Sequence, residues 1–140
     1  MRNHLRTAAT RVPRWTPFVF LAPDRYVADG EFWAEFDFRT WSRRGYEWVS
    51  DPWNGFRDVA KRPRETLAEG RGDCEDYALV AASWARARGH EGVGLGFCLE
   101  SPYPWPRHAI AYDDRFVYSS GRIFVGRSRS GSRGRGTCSV

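Results

Sequence analysis

Hydrophobic residues in the middle of the chain follow a helical period in two stretches. From Glu31 to Arg44, aromatic residues recur at near-helical spacing with charged residues between them, and Gly45 is a plausible stop. We therefore expect a helix over about 30–44. The second stretch predicts a helix that runs from Cys74 to about Arg88. One helical turn is expected before it, over 65–69. A stripe of small residues on the second helix would let another element approach closely: Ala78, Ala81, Ala82 and Ala85.

Other stretches follow the two-residue period of a strand. Residues 93–99 alternate large apolar with small side chains, and 108–112 reads as the next strand. A turn at 113–115 leads into a returning strand at 116–118, which makes a hairpin. The segment 46–49 is short and strand-like, while 101–106 holds three prolines and is predicted to be a loop. This order predicts an α+β fold, with the helix that starts at Cys74 packed on a small antiparallel sheet.

The two ends of the chain differ from the middle in composition. Prolines forbid a long helix before residue 30, so 1–30 is expected to be an extended arm. After Val125 the chain turns to Arg, Gly and Ser without periodicity, so 126–140 is expected to be a disordered tail. Residues 31–125 form the expected folded domain.

Charge follows the same division. The net charge is +5, but residues 24–124 hold 14 basic against 17 acidic residues, a net charge of −3. A near-neutral body argues against a folded nucleic-acid-binding face. The Arg-rich tail offers at most weak contact with nucleic acid through phosphate neutralisation.

The remaining bulk features exclude several classes of protein. The apolar run Phe18–Ala22 is far shorter than a membrane-spanning helix, so no membrane partner is expected. Three cysteines are too few for a disulfide framework, which fits reduced thiols and a cytoplasmic location: Cys74, Cys98 and Cys138.

One cysteine occupies a position that favours reactivity. The segment GRGDCEDYA (70–78) gives a glycine turn, an N-cap at Asp73 and then Cys74 in the first turn of the predicted helix. The helix dipole at that end favours negative charge and hence the thiolate, which is the nucleophilic form. His108 opens a strand 34 residues later and could take the thiol proton.

These residues resemble the transglutaminase-like superfamily of papain-like cysteine enzymes, in particular the bacterial and archaeal transglutaminase-like cysteine proteinases. The resemblance rests on PRETL (63–67), GRGDCEDYA (70–78), the segment 46–52 ending in Asp-Pro, and His108-Ala109; it covers about 31–121. It implies a papain-like core and cysteine-dependent hydrolysis or acyl transfer on peptide or glutamine amides, without a cofactor. A protein or peptide would be the substrate, Cys74 the nucleophile, and His108 the general base and acid.

The third catalytic position departs from the family. The family has an aspartate at the end of the strand after the histidine strand, and here that place is Ser119 or Ser120. A serine hydroxyl can orient His108 but brings no negative charge to stabilise the imidazolium. Asp113 or Asp114 in the turn would be distant substitutes. Asp76 is expected to support the helix start.

The other assignments concern the substrate. The backbone N–H of Cys74 is one oxyanion donor, and a second donor is expected from Trp53 or Asn54. Trp105 in the Pro-rich loop would line a substrate cleft or cover the core.

Two other readings compete with an enzyme. A catalytically weakened transglutaminase-like module that binds or supports another molecule would explain the missing aspartate. A zinc site would draw on four residues whose spacings do not match the close ligand pairs of structural zinc sites, so no metal is expected: Cys74, His90, Cys98 and His108.

Overall fold

The computed structural model describes residues 26–49, 61–99 and 106–126. Its helices are α1 (Glu31–Glu35), α2 (Phe38–Thr40), which continues into a π-helical turn (Trp41–Gly45), α3 (Pro63–Glu69) and α4 (Cys74–Ala87). Its strands are β1 (Glu47–Trp48), β2 (Arg71–Gly72), β3 (Gly94–Leu99), β4 (Pro106–Tyr112), β5 (Phe116–Ser119) and β6 (Arg122–Val125). The fold is α+β, as the sequence predicts.

Helix α4 begins and ends where the sequence predicts. The Asp73 side chain accepts a hydrogen bond from the backbone N–H of Asp76, and Asp76 Oδ2 accepts one from the backbone N–H of Asp73. These two bonds satisfy donors that every helix start leaves open. At the other end, Gly89 adopts a left-handed φ of 79°, which ends the helix.

The small residues of α4 let it lie close to the sheet. All four alanines of the predicted stripe are buried, and α4 packs against β4, where Ala109 and Ala111 are also buried. Alanine on both sides of a contact lets the backbones approach closely. The helix is therefore the centre of the domain, with its whole length from Glu75 to Ala85 buried.

The aromatic segment before α4 is not the single helix that the spacing predicts. Phe36 adopts an extended conformation after α1, and Asp37 then caps α2 by accepting from the backbone N–H of Thr40. A cap residue inside the pattern competes with helix continuation, because its side chain offers the backbone another partner. The break turns Phe38 fully into the core, against Trp84, Tyr77 and Tyr118.

The main sheet is antiparallel in the order β3-β4-β5-β6. The hairpin of β4 and β5 is confirmed, with Ala111 opposite Tyr118. Two details of the prediction are wrong. The sequence predicts Pro106 in the loop, but Pro106 begins β4 beside a register shift, where a residue without an N–H is tolerated. Strand β6 was not predicted, and it pairs with β5 across a turn at Ser120 and Gly121.

A second, two-stranded sheet lies at the start of α4. The strand-like segment at 46–49 contains β1, which pairs in parallel with β2 from the glycine turn. Tyr46 fixes this junction: its hydroxyl donates to the backbone oxygen of Gly72 at 3.0 Å. The turn that leads into Cys74 is thus held by a neighbouring strand.

The predicted arm and tail fall almost wholly outside the described residues. Residues 26–30 are the described part of the arm. Val27 and Ala28 are partly buried against the core, and the backbone N–H of Ala28 donates to the hydroxyl of Ser83. Within the described ranges, no helix is long and apolar enough to cross a membrane.

Candidate active site

Cys74 and His108 lie at the same end of the domain. The other end is fixed by a hydrogen bond of 2.8 Å between His90 Nδ1 and Asp113 Oδ2, which joins the chain after α4 to the chain after β4. His108 lies five residues before Asp113, about 16 Å along a strand. The ring of Trp84 packs against His90 at this end, and Cys74 lies ten residues before Trp84, about 15 Å along the helix. Because α4 packs along β4, both residues come to the opposite, shared end.

A second connection reaches the same end from the other strand. The turn after β5 lies beside Tyr46 and Ser42, because a Cβ atom added to Gly121 would lie 3.4 Å from the Tyr46 ring and 3.6 Å from the backbone oxygen of Ser42. Ser42 Oγ in turn pairs at 2.7 Å with the hydroxyl of Tyr77, in the first turn of α4. Ser119 stands two residues before Gly121, so the end of β5 lies near the start of α4. Burial raises the pKa of Tyr77 to about 12, which keeps this hydroxyl neutral.

The structure joins His108 to Ser119. His108 Nε2 and Ser119 Oγ are 2.6 Å apart, and the serine is buried. Burial also lowers the pKa of His108, because the charged imidazolium loses solvation and the serine supplies no charge in return. A neutral ring is therefore favoured, with Nε2 engaged and Nδ1 as the second ring nitrogen. Ser119 occupies the position that the sequence predicts for the orienting group.

The surroundings of the Cys74 sulfur are acidic. Cys74 carries a thiol and is partly exposed, and its Sγ donates to Glu75 Oε2 at 3.4 Å. Asp73, Glu75 and Asp76 are all buried, and their carboxylates lie within 4.8 Å of one another. Among hydrogen bonds between described residues, none joins Cys74 to His108. The carboxylates oppose the effect of the helix dipole on the thiol.

Lys61 and the backbone hold this acidic cluster. The backbone N–H of Lys61 donates to Asp76 Oδ1 at 2.8 Å, and Lys61 Nζ lies 4.0 Å from Asp76 Oδ2 and 2.6 Å from Glu69 Oε2. Burial nevertheless raises the pKa of Asp76, and these hydrogen bonds offset it only in part. Asp73 and Asp76 therefore act as a capping pair, the supporting role predicted for them. The sequence offered no signal for the part played by Lys61.

Among the hydrogen bonds between described residues, neither turn aspartate contacts His108. Asp113 accepts hydrogen bonds from His90 and from the hydroxyl of Tyr118, and its Oδ1 accepts from the backbone N–H groups of Arg115 and Phe116. These bonds lower the pKa of Asp113 although burial raises it. His90, which has no partner apparent in the sequence, is thus part of a buried polar network. The one signal for this network in the sequence is the position of Asp113 at the start of a hairpin turn, where an aspartate side chain commonly accepts backbone hydrogen bonds.

Several predicted residues lie outside the described part of the chain. Trp53, Asn54 and Trp105, the candidates for the oxyanion hole and the substrate cleft, are all among them.

Among the described residues, no cluster of possible metal ligands joins His90 or His108 to Cys74. Within the described residues, the one group of side chains close enough to hold an ion is the acidic cluster at the start of α4, which contains no cysteine or histidine. His90 and His108 face Asp113 and Ser119 instead.

Comparison with protein-family models, with curated proteins and with solved structures gave no match.

Proposed function

We propose that this protein is a cysteine-dependent hydrolase or acyltransferase with a transglutaminase-like, papain-like core, acting on peptide or glutamine amides. Cys74 is the nucleophile, His108 the general base and acid, and Ser119 the residue that orients His108. The observation that carries the proposal is the hydrogen bond of 2.6 Å between His108 Nε2 and Ser119 Oγ, at the end of the domain where Cys74 begins α4.

This hydrogen bond favours a different role for each of the two nitrogens of the imidazole ring. With Nε2 engaged by Ser119, Nδ1 is the nitrogen left to exchange a proton with the thiol. The lowered pKa of His108 supports a neutral ring that can accept that proton. A buried, hydrogen-bonded serine keeps the ring in one orientation.

The proposed reaction has two halves. The thiol proton passes to His108 Nδ1 while the Cys74 sulfur attacks the amide carbon, and the backbone N–H of Cys74 donates to the developing oxyanion. The C–N bond then breaks, and His108 returns the proton to the leaving amine. Water or a second amine next attacks the thioester, giving an acid or a new amide and restoring the thiol.

The alternative is a catalytically weakened transglutaminase-like module with a binding or structural role. The hydrogen bond from Cys74 Sγ to Glu75 Oε2 favours this second function, since a carboxylate beside sulfur stabilises the neutral thiol. The serine in place of an aspartate favours it too, because an imidazolium at His108 would have no anionic partner.

Alkylation of the thiol against pH separates the two functions. We would treat the full chain with iodoacetamide from pH 5 to 9 and quantify modification by peptide mass spectrometry, so that Cys98 and Cys138 serve as internal references. The enzyme proposal predicts that Cys74 reacts well below pH 8 and that His108→Ala removes this reactivity. Amide hydrolysis and amine incorporation into casein should then depend on Cys74 as well.

The matched control is Ser120→Ala, which removes a neighbouring hydroxyl on the same turn. It should leave the Cys74 profile unchanged, whereas Ser119→Ala should slow alkylation. A Cys74 profile like that of free cysteine, unaltered by His108→Ala, would rule out the enzyme and favour the binding module.

A further inference from the structure

The hydroxyl of Tyr46 reaches the backbone just before Cys74. It donates to the backbone oxygen of Gly72 at 3.0 Å, and the backbone oxygen of Asp73 shares the same proton at a longer distance of 3.4 Å. These two carbonyls belong to the two peptide units that precede Cys74. The second of these units also carries the N–H of Cys74, the proposed oxyanion donor.

The first of these peptide units is held at both of its polar groups. Its carbonyl, on Gly72, also accepts from the backbone N–H of Val49 at 3.0 Å. Its N–H, on Asp73, donates to Asp76 Oδ2 at 3.3 Å. Because a peptide unit is planar, hydrogen bonds on its opposite edges fix its orientation. The direction in which the chain enters Cys74 is therefore set in part by Tyr46.

The second peptide unit connects Tyr46 to the proposed chemistry. The Asp73 carbonyl accepts from the backbone N–H of Tyr77 at 3.1 Å as well as from the Tyr46 hydroxyl. Hydrogen bonds at a carbonyl polarise the peptide unit and make its N–H a stronger donor. The N–H of this unit is that of Cys74.

The Tyr46 ring is held between the two turns of the candidate site. It packs on Tyr77 with ring centroids 4.8 Å apart and on Trp41 at 5.2 Å. A Cβ atom added to Gly121, two residues after Ser119, would lie 3.4 Å from the ring. The ring thus contacts the turn that follows Ser119, while its hydroxyl holds the turn that precedes Cys74.

The hydroxyl of Tyr46 keeps its proton. Burial raises the pKa of Tyr46 above its ordinary value, and the negative charges of Asp73 and Cys74 raise it further. The phenol is therefore a constant donor that does not titrate with the thiol.

We propose, on the basis of the proposed function, that Tyr46 is a positioning residue for the oxyanion site. Its hydroxyl holds the two peptide units before Cys74 so that the Cys74 N–H points at the developing oxyanion. The rate of acyl transfer should then depend on this hydroxyl, whereas the reactivity of the thiol itself should not.

Two reagents that react with the same sulfur separate these effects. The thiolate attacks the carbonyl carbon of p-nitrophenyl acetate through an oxyanion, and p-nitrophenolate leaves as the thioester forms. Iodoacetamide is instead displaced at its methylene carbon, which loses iodide and forms no oxyanion. We would treat the full chain with each reagent and quantify modified Cys74 by peptide mass spectrometry. Tyr46→Phe should slow acetylation of Cys74 at least about tenfold and leave its alkylation within about twofold of the wild-type rate.

The matched control is Tyr77→Phe, which removes the hydroxyl of the neighbouring ring, bonded to Ser42 Oγ. It should leave both rates unchanged. The NMR signals of the Gly72 and Asp73 carbonyl carbons should shift in Tyr46→Phe and stay in place in Tyr77→Phe. Tyr46→Phe should keep the wild-type circular dichroism, since each of the two carbonyls retains a backbone donor.

Several results would overturn the proposal while leaving the function of Cys74 intact. They are equal slowing of acetylation and alkylation in Tyr46→Phe, no slowing of acetylation, equal effects in Tyr77→Phe, unchanged carbonyl signals, or a Tyr46→Phe protein that does not fold. Failure of the proposed function is read from the wild type instead. A Cys74 that alkylates like free cysteine, with no change in His108→Ala, would overturn both.

Discussion

At the scale of single residues, His108 is subject to two opposing demands. Its burial favours the neutral ring, whereas the proposed amide chemistry would require the ring to take up a proton during the reaction. The serine partner holds the ring in place but does not relieve this conflict, because a hydroxyl carries no charge. The effect of this environment should therefore appear both in the pH dependence of protein stability and in the titration of the His108 ring.

Stability should fall as the pH is lowered from about 7 to 5. The folded-state pKa of His108 lies below the unfolded value, so the unfolded state binds the proton more readily. The contribution of His108 is therefore complete above the unfolded pKa, about 6.5, and is lost as the pH falls through and below it. We expect the free energy of unfolding, measured in urea, to fall more over this range for the wild type than for His108→Gln. Parallel curves for the two proteins would contradict the cause given for the shift.

A charged partner should reverse the shift. Ser119→Asp places a carboxylate near Nε2 and should raise the pKa of His108, measured from the ring proton signal in NMR. Ser119→Asn, which has nearly the same shape without charge, is the control and should leave the pKa close to the wild-type value. If both variants raise it equally, the effect comes from altered burial rather than from charge.

At the scale of elements, local signals in the sequence predicted those parts of the site that local forces form. The elements α4, β3 and β4 could be predicted because their signals act within a few residues. These signals are the cap at Asp73, the helix terminator Gly89 and the alternation of apolar and small side chains before Tyr112. The position of Ser119 followed from the hairpin. The parallel pairing of β1 with β2 joins segments more than twenty residues apart, and no local pattern encodes it. Glu75 could be read as a charge that suits the helix dipole, but its contact with Cys74 depends on burial that a sequence does not display.

The cap at Asp73 should carry a measurable part of the stability of α4. Asp73→Ala removes the acceptor for the Asp76 backbone N–H and should lower the free energy of unfolding by about 0.5–2 kcal/mol. Asp73→Asn also removes the charge but keeps a capping oxygen, so its loss should be smaller. Chemical denaturation of the three proteins compares them, and equal losses for Ala and Asn would assign the effect to the charge of Asp73 at the helix N-terminus rather than to its capping oxygen.

At the scale of the whole molecule, an aromatic cluster links the elements that carry the candidate site. Phe38 packs on Trp84 with ring centroids 4.9 Å apart, on Tyr77 at 5.7 Å and on Tyr118 at 5.6 Å. These partners belong to both ends of α4 and to β5. The segment before the helix thus serves as a common support for α4 and the sheet, which is why the break at Phe36 matters beyond its own turn.

This arrangement predicts a large difference between two phenylalanines of the same segment. Phe38 is fully buried, so Phe38→Ala should cost about 3–5 kcal/mol through lost contacts and a residual cavity. Phe32 is 42% exposed, and Phe32→Ala should cost much less. Because Phe38 joins helix and sheet, the loss should appear as one cooperative transition at a lower temperature, with far-UV and near-UV circular dichroism melting together. Separate melting of the two signals in Phe38→Ala would mean that α4 holds its structure without this support, and equal costs for the two variants would contradict the central place of Phe38 in the core.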